Sequence, residues 1–123
     1  MAEPPEAGAE ASGFRSLDEF WPFYIAQHMN RTNRRLHFAG TTFGLLCLGA
    51  ALALGEPGFA PMGLLGAYGL AWLGHFKFEG NRPATFQYPL LSLRADLRMY
   101  RLMGSGRMEQ EIIRLKQEIL RYR

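Results

Sequence analysis

Three histidines and one glutamate are the side chains of this sequence that are best suited to bind a metal ion. His37 begins the first long apolar segment, and His75 ends the second. Glu79 follows His75 by four residues and would share its face of a continued α-helix. His28 lies just before a polar corner at residues 30–33. Imidazole and carboxylate suit iron, zinc or manganese, and histidines with a carboxylate that leave open positions favour non-haem iron(II).

Two uncharged segments predict how these histidines meet. Residues 38–55 and 59–74 carry no charged side chain, and Glu56-Pro57-Gly58 separates them. At a rise of roughly 1.5 Å per residue they are about 27 and about 24 Å long, slightly short of a hydrocarbon core of about 30 Å. Small residues spaced through both segments would allow close helix contact. We interpret them as a transmembrane helical hairpin that brings His37 and His75 to one end.

The same segments would also suit a buried helical hairpin in a small soluble bundle. We favour the membrane, because uncharged runs of this length are more often spans than cores. Lysine and arginine lie before and after the hairpin, whereas its turn has neither. The positive-inside rule then places the histidines and both termini on the cytoplasmic side. The expected location is the bacterial inner membrane, or the endoplasmic reticulum in a eukaryote.

Length, charge and cysteine content limit the classes of protein to which this chain can belong. A length of 123 residues indicates one domain, and the net charge of +3 is too small to indicate a nucleic-acid partner. The one cysteine, Cys47, excludes an internal disulfide and a cysteine-pair metal site, and we interpret it as a packing residue. The predicted fold is all-α: an integral membrane helical bundle built around the short transmembrane hairpin, with flanking interfacial helices.

The sequence predicts three parts of the chain, of which the middle one contains the hairpin. Residues 1–13, rich in Ala, Glu, Pro and Gly, are predicted to be disordered. Residues 14–103 form the helical membrane domain, whose first helix begins near residue 17 at a capping box of Ser16 and Glu19. Residues 104–123 form an amphipathic C-terminal helix with heptad spacing. It could pack on the body, lie on the membrane or pair with another subunit as a homo-oligomer.

Several polar residues lie near the histidines in the sequence. Asn33 and Asn81 could orient the imidazoles through hydrogen bonds or simply cap helices, and Asp96 is a further candidate of the first kind. Arg82 adjoins the segment of His75 and Glu79, and we expect it to bind a substrate carboxylate. Four other arginines are interpreted as topology determinants and contacts to lipid headgroups: Arg34, Arg35, Arg94 and Arg98.

The two segments that contain His37 and His75 resemble the motifs of a known family. The matching residues are His28, Asn33-Arg34, Leu36-His37-Phe38-Ala39-Gly40 and Gly74-His75-Phe76-Lys77-Phe78-Glu79-Gly80-Asn81-Arg82-Pro83-Ala84. From about residue 20 to residue 103, the chain resembles the membrane family typified by the yeast 2-hydroxy-fatty-acid dioxygenase of fatty-acid alpha-oxidation. The tail from residue 104 has no counterpart in this resemblance.

The resemblance implies an activity and a site. Iron(II) would be bound by His28, His37 and His75, and dioxygen would be used to shorten a 2-hydroxy fatty acid by one carbon. Such a substrate can chelate iron through two oxygens, with its acyl chain in the membrane lipid. Glu79 would either ligate the metal or hold a histidine, and with Arg82 it would complete the catalytic set.

Two other functions fit the same residues. In a non-catalytic membrane interaction or lipid-binding protein, the histidines would only set structure, and the C-terminal helix would recruit a partner. In a haem carrier, His37 and His75 would be the axial ligands. Metal content separates the first of these from an iron enzyme, and a Soret band would reveal the second.

Overall fold

The computed structural model describes residues 13–123, which are helical with no strand among them. The all-α class is thereby confirmed. In chain order the helices are α1 (Leu17–Ala26), α2 (Arg31–Leu54), α3 (Phe59–Leu73), a π-helix (Gly74–Glu79), a 3₁₀ turn (Ala84–Phe86), α4 (Pro89–Gly104), α5 (Met108–Arg114) and α6 (Lys116–Leu120). Apart from Gly13, the segment predicted to be disordered (residues 1–13) lies outside the described residues.

The chain divides into two compact units. The terminal unit comprises Met1–Met29 and Ala84–Arg123, and the central unit comprises Asn30–Pro83. The predicted parts, residues 14–103 and 104–123, remain a prediction about domain organisation. Each unit has its own histidines: His28 belongs to the terminal unit, and His37 and His75 belong to the central unit.

The capping box at the start of α1 forms with one difference. The Ser16 hydroxyl accepts a hydrogen bond from the Glu19 backbone N–H at 3.1 Å, as expected of an N-cap serine. The Glu19 carboxylate accepts from the N–H of Arg15 at 3.3 Å, one residue earlier than a capping box requires. The helix begins at Leu17, as predicted, and ends at Ala26.

The terminal unit is built on aromatic residues of α1 and apolar residues of α4 to α6. Its buried core comprises Phe20, Trp21, Tyr24, Ile25, Ala26, Ala84, Ala95, Met99, Met108 and Ile119. The predicted C-terminal helix is two short helices that break at Leu115, and both of them contribute to this core. The guanidinium of Arg123 donates to the carbonyl of Ala26 at 2.8 Å. The tail therefore packs on its own chain.

The central unit is an antiparallel pair of helices. Asn30 caps α2 by accepting from the Asn33 N–H at 3.1 Å, so this helix begins at Arg31, within the polar corner of residues 30–33. It ends at Gly55, whose φ of +66° is a left-handed conformation that favours glycine. The predicted break at residues 56–58 is confirmed, and α3 follows from Phe59.

Small residues let α2 and α3 approach closely, as the sequence predicts. A Cβ added at Gly40 would lie 2.9 Å from the carbonyl oxygen of Ala67, and one added at Gly63 would lie 2.7 Å from the Cβ of Cys47. Cys47 is buried at this contact, in agreement with its interpretation as a packing residue. A larger side chain at either glycine would force the helices apart.

Among the described residues, α2 is the one helix whose length and apolar composition would allow it to cross a membrane. Only 17% of its most apolar 18-residue window is buried within the chain. Large apolar side chains of both helices point outward, including Leu46 at 69%, Leu52 at 79% and Leu65 at 76% exposed. The central unit therefore presents a broad apolar surface that its own chain does not cover.

Candidate metal centre

The helix that carries His75 changes its geometry at the candidate site. After Leu73 the chain continues as a π-helix, Gly74–Glu79, and ends at Gly80 with a φ of +75°. The carbonyl oxygen of His75 accepts hydrogen bonds from the N–H groups of Gly80 at 2.7 Å and Asn81 at 3.1 Å. Short π-helical segments occur frequently at functional sites. Here the segment turns the chain so that Asn81 returns to the histidine.

His75 is held by the side chain of Asn81. Its Nδ1 atom lies 2.6 Å from the Asn81 side-chain oxygen, and the imidazole is 1% exposed. An amide oxygen only accepts hydrogen bonds, so Nδ1 carries the proton and donates. The other ring nitrogen, Nε2, then has the lone pair that a metal ion requires.

His37 and His75 lie side by side in the central unit. Their ring centroids are 4.9 Å apart and the ring planes are nearly perpendicular, at 87°. With metal–nitrogen distances of about 2.1 Å, imidazoles at adjacent positions of one ion have centroids about 5 Å apart, whereas opposite positions give about 6 Å. The observed spacing fits two adjacent ligands. It leaves no room for a porphyrin between the rings.

A hydrogen-bonded network joins the start of α2 to the π-helix and so sets this spacing. The Glu79 carboxylate accepts from the N–H of Asn30 at 2.7 Å and from the side-chain amide of Asn33 at 3.2 Å. The Asn33 side chain is fully buried against Gly74, where a Cβ would collide with its oxygen. An acidic group at a helix N-terminus also complements the helix dipole. The network places His37, one turn after Asn33, beside His75.

In the terminal unit, His28 is held by Tyr24. The imidazole is 1% exposed, and its Nδ1 lies 2.6 Å from the backbone carbonyl oxygen of Tyr24. A carbonyl only accepts, so Nδ1 is again the donor and Nε2 has the lone pair. The Tyr24 ring stacks on the imidazole with centroids 3.9 Å apart and planes at 20°.

The tyrosine is fixed in turn by Asp96 of α4. The phenol donates to the Asp96 carboxylate at 3.0 Å. Burial, followed by the charge of Asp96 and this hydrogen bond, raises the pKa of Tyr24 well above its ordinary value. The phenol therefore remains protonated and continues to donate at any ordinary pH.

A family model described as 2-hydroxy-palmitic acid dioxygenase Mpo1-like matches residues 14–108. The chain belongs to this family. Searches of curated proteins and of solved structures found no match. The Mpo1-like match confirms the resemblance seen in the histidine motifs, and it includes all three histidines. Residues 109–123, which contain most of α5 and all of α6, lie beyond it.

The three histidines of this Mpo1-like chain are a candidate set of metal ligands. His28, His37 and His75 are all buried, and each has a ring nitrogen that could bind a metal ion. Imidazole ligands suit iron as well as zinc, copper and nickel. The residues present therefore fit an iron ion. The Glu79 carboxylate accepts hydrogen bonds from Asn30 and Asn33, at the start of α2.

The remaining site residues of the sequence lie in different environments. Arg82 is exposed and follows Asn81 directly, and Asp96 accepts a hydrogen bond from Tyr24. The interpretation of Arg34 as a lipid-headgroup contact is wrong, because this residue is only 3% exposed. Arg98 instead pairs with Asp18 at 3.0 Å and lies over the ring of Trp21.

Tyr24 precedes His28 by four residues, and this spacing is the signal in the sequence that could have identified their contact.

Proposed function

We propose that this chain is an iron(II)-dependent dioxygenase that shortens 2-hydroxy fatty acids by one carbon. The observation that carries the proposal is the 4.9 Å spacing of two buried imidazoles, His37 and His75, which the two halves of a helical hairpin bring together. The family description names 2-hydroxy-palmitic acid as the substrate of a dioxygenase. Three imidazoles can bind iron among other metals, and they would leave coordination positions for substrate and dioxygen.

His28 is the proposed third ligand. It is buried, its Nδ1 is bound to a carbonyl oxygen, and it lies two residues before Asn30. Asn30 in turn donates to Glu79 at the end of the π-helix. The family match spans His28 as well as the other two histidines, which supports this assignment. We assign Glu79 to holding α2 against the π-helix, which keeps His37 and His75 adjacent.

The reaction balances without a further reductant. A 2-hydroxy acid and dioxygen give the acid one carbon shorter, carbon dioxide and water. Iron(II), when bound, supplies the activation of dioxygen. The chain supplies the rest: protonated Nδ1 atoms on His28 and His75 keep each Nε2 available, and burial of the imidazoles excludes bulk water. Arg82 is the proposed partner of the substrate carboxylate, which a guanidinium can bind through two hydrogen bonds.

We also propose that the central unit lies in a membrane. At about 1.5 Å per residue, the 24 residues of α2 extend about 36 Å, enough to cross a hydrocarbon core of about 30 Å. The outward leucines of α2 and α3 would face lipid and the acyl chain of the substrate. Basic residues at the histidine end, including Arg31, Arg35 and Lys77, favour a cytoplasmic orientation, in a bacterial inner membrane or an endoplasmic reticulum.

Metal analysis followed by a product assay tests this function. The full chain is purified anaerobically in mild detergent, and we expect about one iron per chain, which His37→Ala and His75→Ala should remove. Glu56→Gln, in the exposed turn between α2 and α3, is the matched control. The iron-loaded protein is then incubated with 2-hydroxypalmitate and oxygen, and the acid one carbon shorter is sought.

Other results would overturn the proposal. A metal-free protein whose histidine variants keep wild-type stability would indicate a non-catalytic membrane interaction or lipid-binding role. Iron without any shortened product, across several chain lengths, would remove the substrate assignment. A Soret band would indicate haem, although the spacing of His37 and His75 is too short for axial ligands on opposite faces of one porphyrin.

A further inference from the structure

A column of three stacked rings in the terminal unit ends on His28. The rings of Trp21 and Tyr24 are 5.8 Å apart with planes at 13°, and those of Tyr24 and His28 are 3.9 Å apart with planes at 20°. All three side chains are buried. Nearly parallel packing opposes rotation of the imidazole out of the plane of the column.

The column is held at both of its aromatic residues by polar contacts from elsewhere in the unit. The Tyr24 hydroxyl donates to Asp96 of α4 at 3.0 Å. The indole N–H of Trp21 donates to Glu111 of α5 at 2.9 Å, and the Arg98 guanidinium lies 5.3 Å over its ring. A shift of Tyr24 would therefore break a partly buried hydrogen bond to a carboxylate.

Tyr24 constrains His28 in two separate ways. Its backbone carbonyl accepts the Nδ1 proton and so selects the tautomer, while its ring fixes the plane of the imidazole. The first contact depends only on helix α1. The second depends on where the Tyr24 side chain is held, and that is set by Asp96.

We propose that Tyr24 and Asp96 are positioning residues that hold the His28 imidazole in the plane in which its Nε2 binds the metal. The inference rests on the proposed function, because it requires His28 to be a ligand. It adds two residues outside the histidine motifs, one of them on a different helix. Partners that orient a metal-bound histidine typically change metal affinity by about 10- to 100-fold when removed.

Cobalt(II) is the probe, because its visible absorption reports the arrangement of its ligands. The variants are studied in the full chain in detergent. Tyr24→Phe and Asp96→Ala both remove the hydrogen bond between the phenol and the carboxylate, and both leave an aromatic ring at position 24 to stack on His28. We expect the cobalt Kd to rise about 10-fold in both, with an altered visible spectrum. Asp96→Asn retains an oxygen that can accept from the phenol, so its Kd should remain within about twofold of wild type.

Ser105→Ala is the matched control for loss of a side-chain hydrogen bond in the same unit. It removes the bonds from the Ser105 hydroxyl to the carbonyls of Arg101 and Leu102, which lie outside the ring column, and the Kd and the spectrum should stay at wild-type values. If Tyr24→Phe does not fold, the two Asp96 variants give the same comparison from α4.

The outcomes separate this inference from the proposed function. Tyr24→Phe and Asp96→Ala proteins that bind cobalt like wild type, and are merely less stable, would overturn the positioning role and leave the metal site intact. Wild-type protein that binds no cobalt would overturn the metal site and this inference together. A His28→Ala variant with wild-type Kd and spectrum would remove His28 from the ligand set, and the positioning role with it.

Discussion

Nδ1 of His75 donates a hydrogen bond to the side-chain oxygen of Asn81 at 2.6 Å, where the chain leaves the π-helix. The bond fixes which ring nitrogen can bind a metal. In Asn81→Ala the imidazole loses this partner, and we expect the metal Kd to rise about 10-fold or more. Asn81→Asp keeps an acceptor oxygen and should retain tight binding. Titration of the metal-free variants with iron(II) or cobalt(II) measures both, and equal affinities for Ala and wild type would contradict the assignment.

Gly74 provides the space in which the buried Asn33 side chain lies. A Cβ at this position would collide with the Asn33 oxygen, so Gly74→Ala should destabilise the protein by about 1–3 kcal/mol and reduce its metal content. The matched control is Gly69→Ala in α3, where an added Cβ meets nothing within 4 Å. Removal of a helical glycine there should be neutral or stabilising by up to about 1 kcal/mol. Thermal unfolding that ranks the two variants the other way would contradict the packing.

The hairpin was predictable because its signals are local. The signals are two uncharged runs, the Glu-Pro-Gly break between them and small residues at the helix contact. Each of them can be recognised from a short stretch of sequence. Together they predict that His37 and His75 lie at one end of the central unit, where the two rings are adjacent. The π-helix was not predictable. Its geometry depends on Asn81 returning to His75 and on Gly80 adopting a positive φ, and no periodic pattern encodes these.

Long-range packing accounts for the expectations that were incomplete or wrong. Heptad spacing predicted one C-terminal helix, but Met108 and Ile119 pack into a core centred on α1, and the tail breaks at Leu115. Arg34 was assigned to lipid headgroups because arginines near a membrane segment usually contact them. Arg34 is buried because of the way the central unit folds. The residues next to it in the sequence do not reveal this burial.

Variants of Glu79 distinguish a role in positioning the helices from a role as a metal ligand. Its carboxylate accepts from Asn30 and Asn33, so Glu79→Gln, whose amide oxygen can accept the same bonds, should retain one metal ion per chain. Glu79→Ala leaves these donors without their acceptor and should cost about 1–3 kcal/mol of stability. Glu56→Ala in the exposed turn is the control for loss of a carboxylate. Loss of metal in Glu79→Gln, with the fold intact, would instead identify this residue as a ligand.

Arg82 should affect substrate binding more than the chemical step. It is exposed and follows Asn81, and loss of a charge-assisted hydrogen bond to a carboxylate costs about 1.5–3 kcal/mol. Arg82→Ala should therefore raise KM for 2-hydroxypalmitate about 10-fold or more with little change in kcat. Arg35→Ala, an exposed arginine of the same unit, is the control. An unchanged KM in Arg82→Ala would exclude this role.

Glu111 should give the stability of the terminal unit a pH dependence in the acidic range. Its carboxylate accepts from the Arg114 guanidinium at 2.7 Å and from the Trp21 indole at 2.9 Å. The hydrogen bond from Arg114, assisted by that from Trp21 and by nearby positive charge, lowers the pKa of Glu111 below its ordinary value of 4.5. A lowered pKa means that the folded state favours the ionised form, so the stabilisation is complete above pH 4.5 and is lost as the pH falls through the folded-state pKa.

Glu111→Gln cannot ionise and should remove this dependence. At neutral pH we expect it to unfold a few degrees below wild type, since a buried hydrogen bond contributes about 1 kcal/mol. As the pH falls below the folded-state pKa of Glu111, the two melting temperatures should converge, because protonated Glu111 resembles glutamine. Glu118→Gln, an exposed carboxylate on α6, controls for the general effect of removing a negative charge. Thermal unfolding in detergent across this pH range gives the comparison, and a constant difference between wild type and Glu111→Gln at every pH would show that the charge of Glu111 does not stabilise the fold.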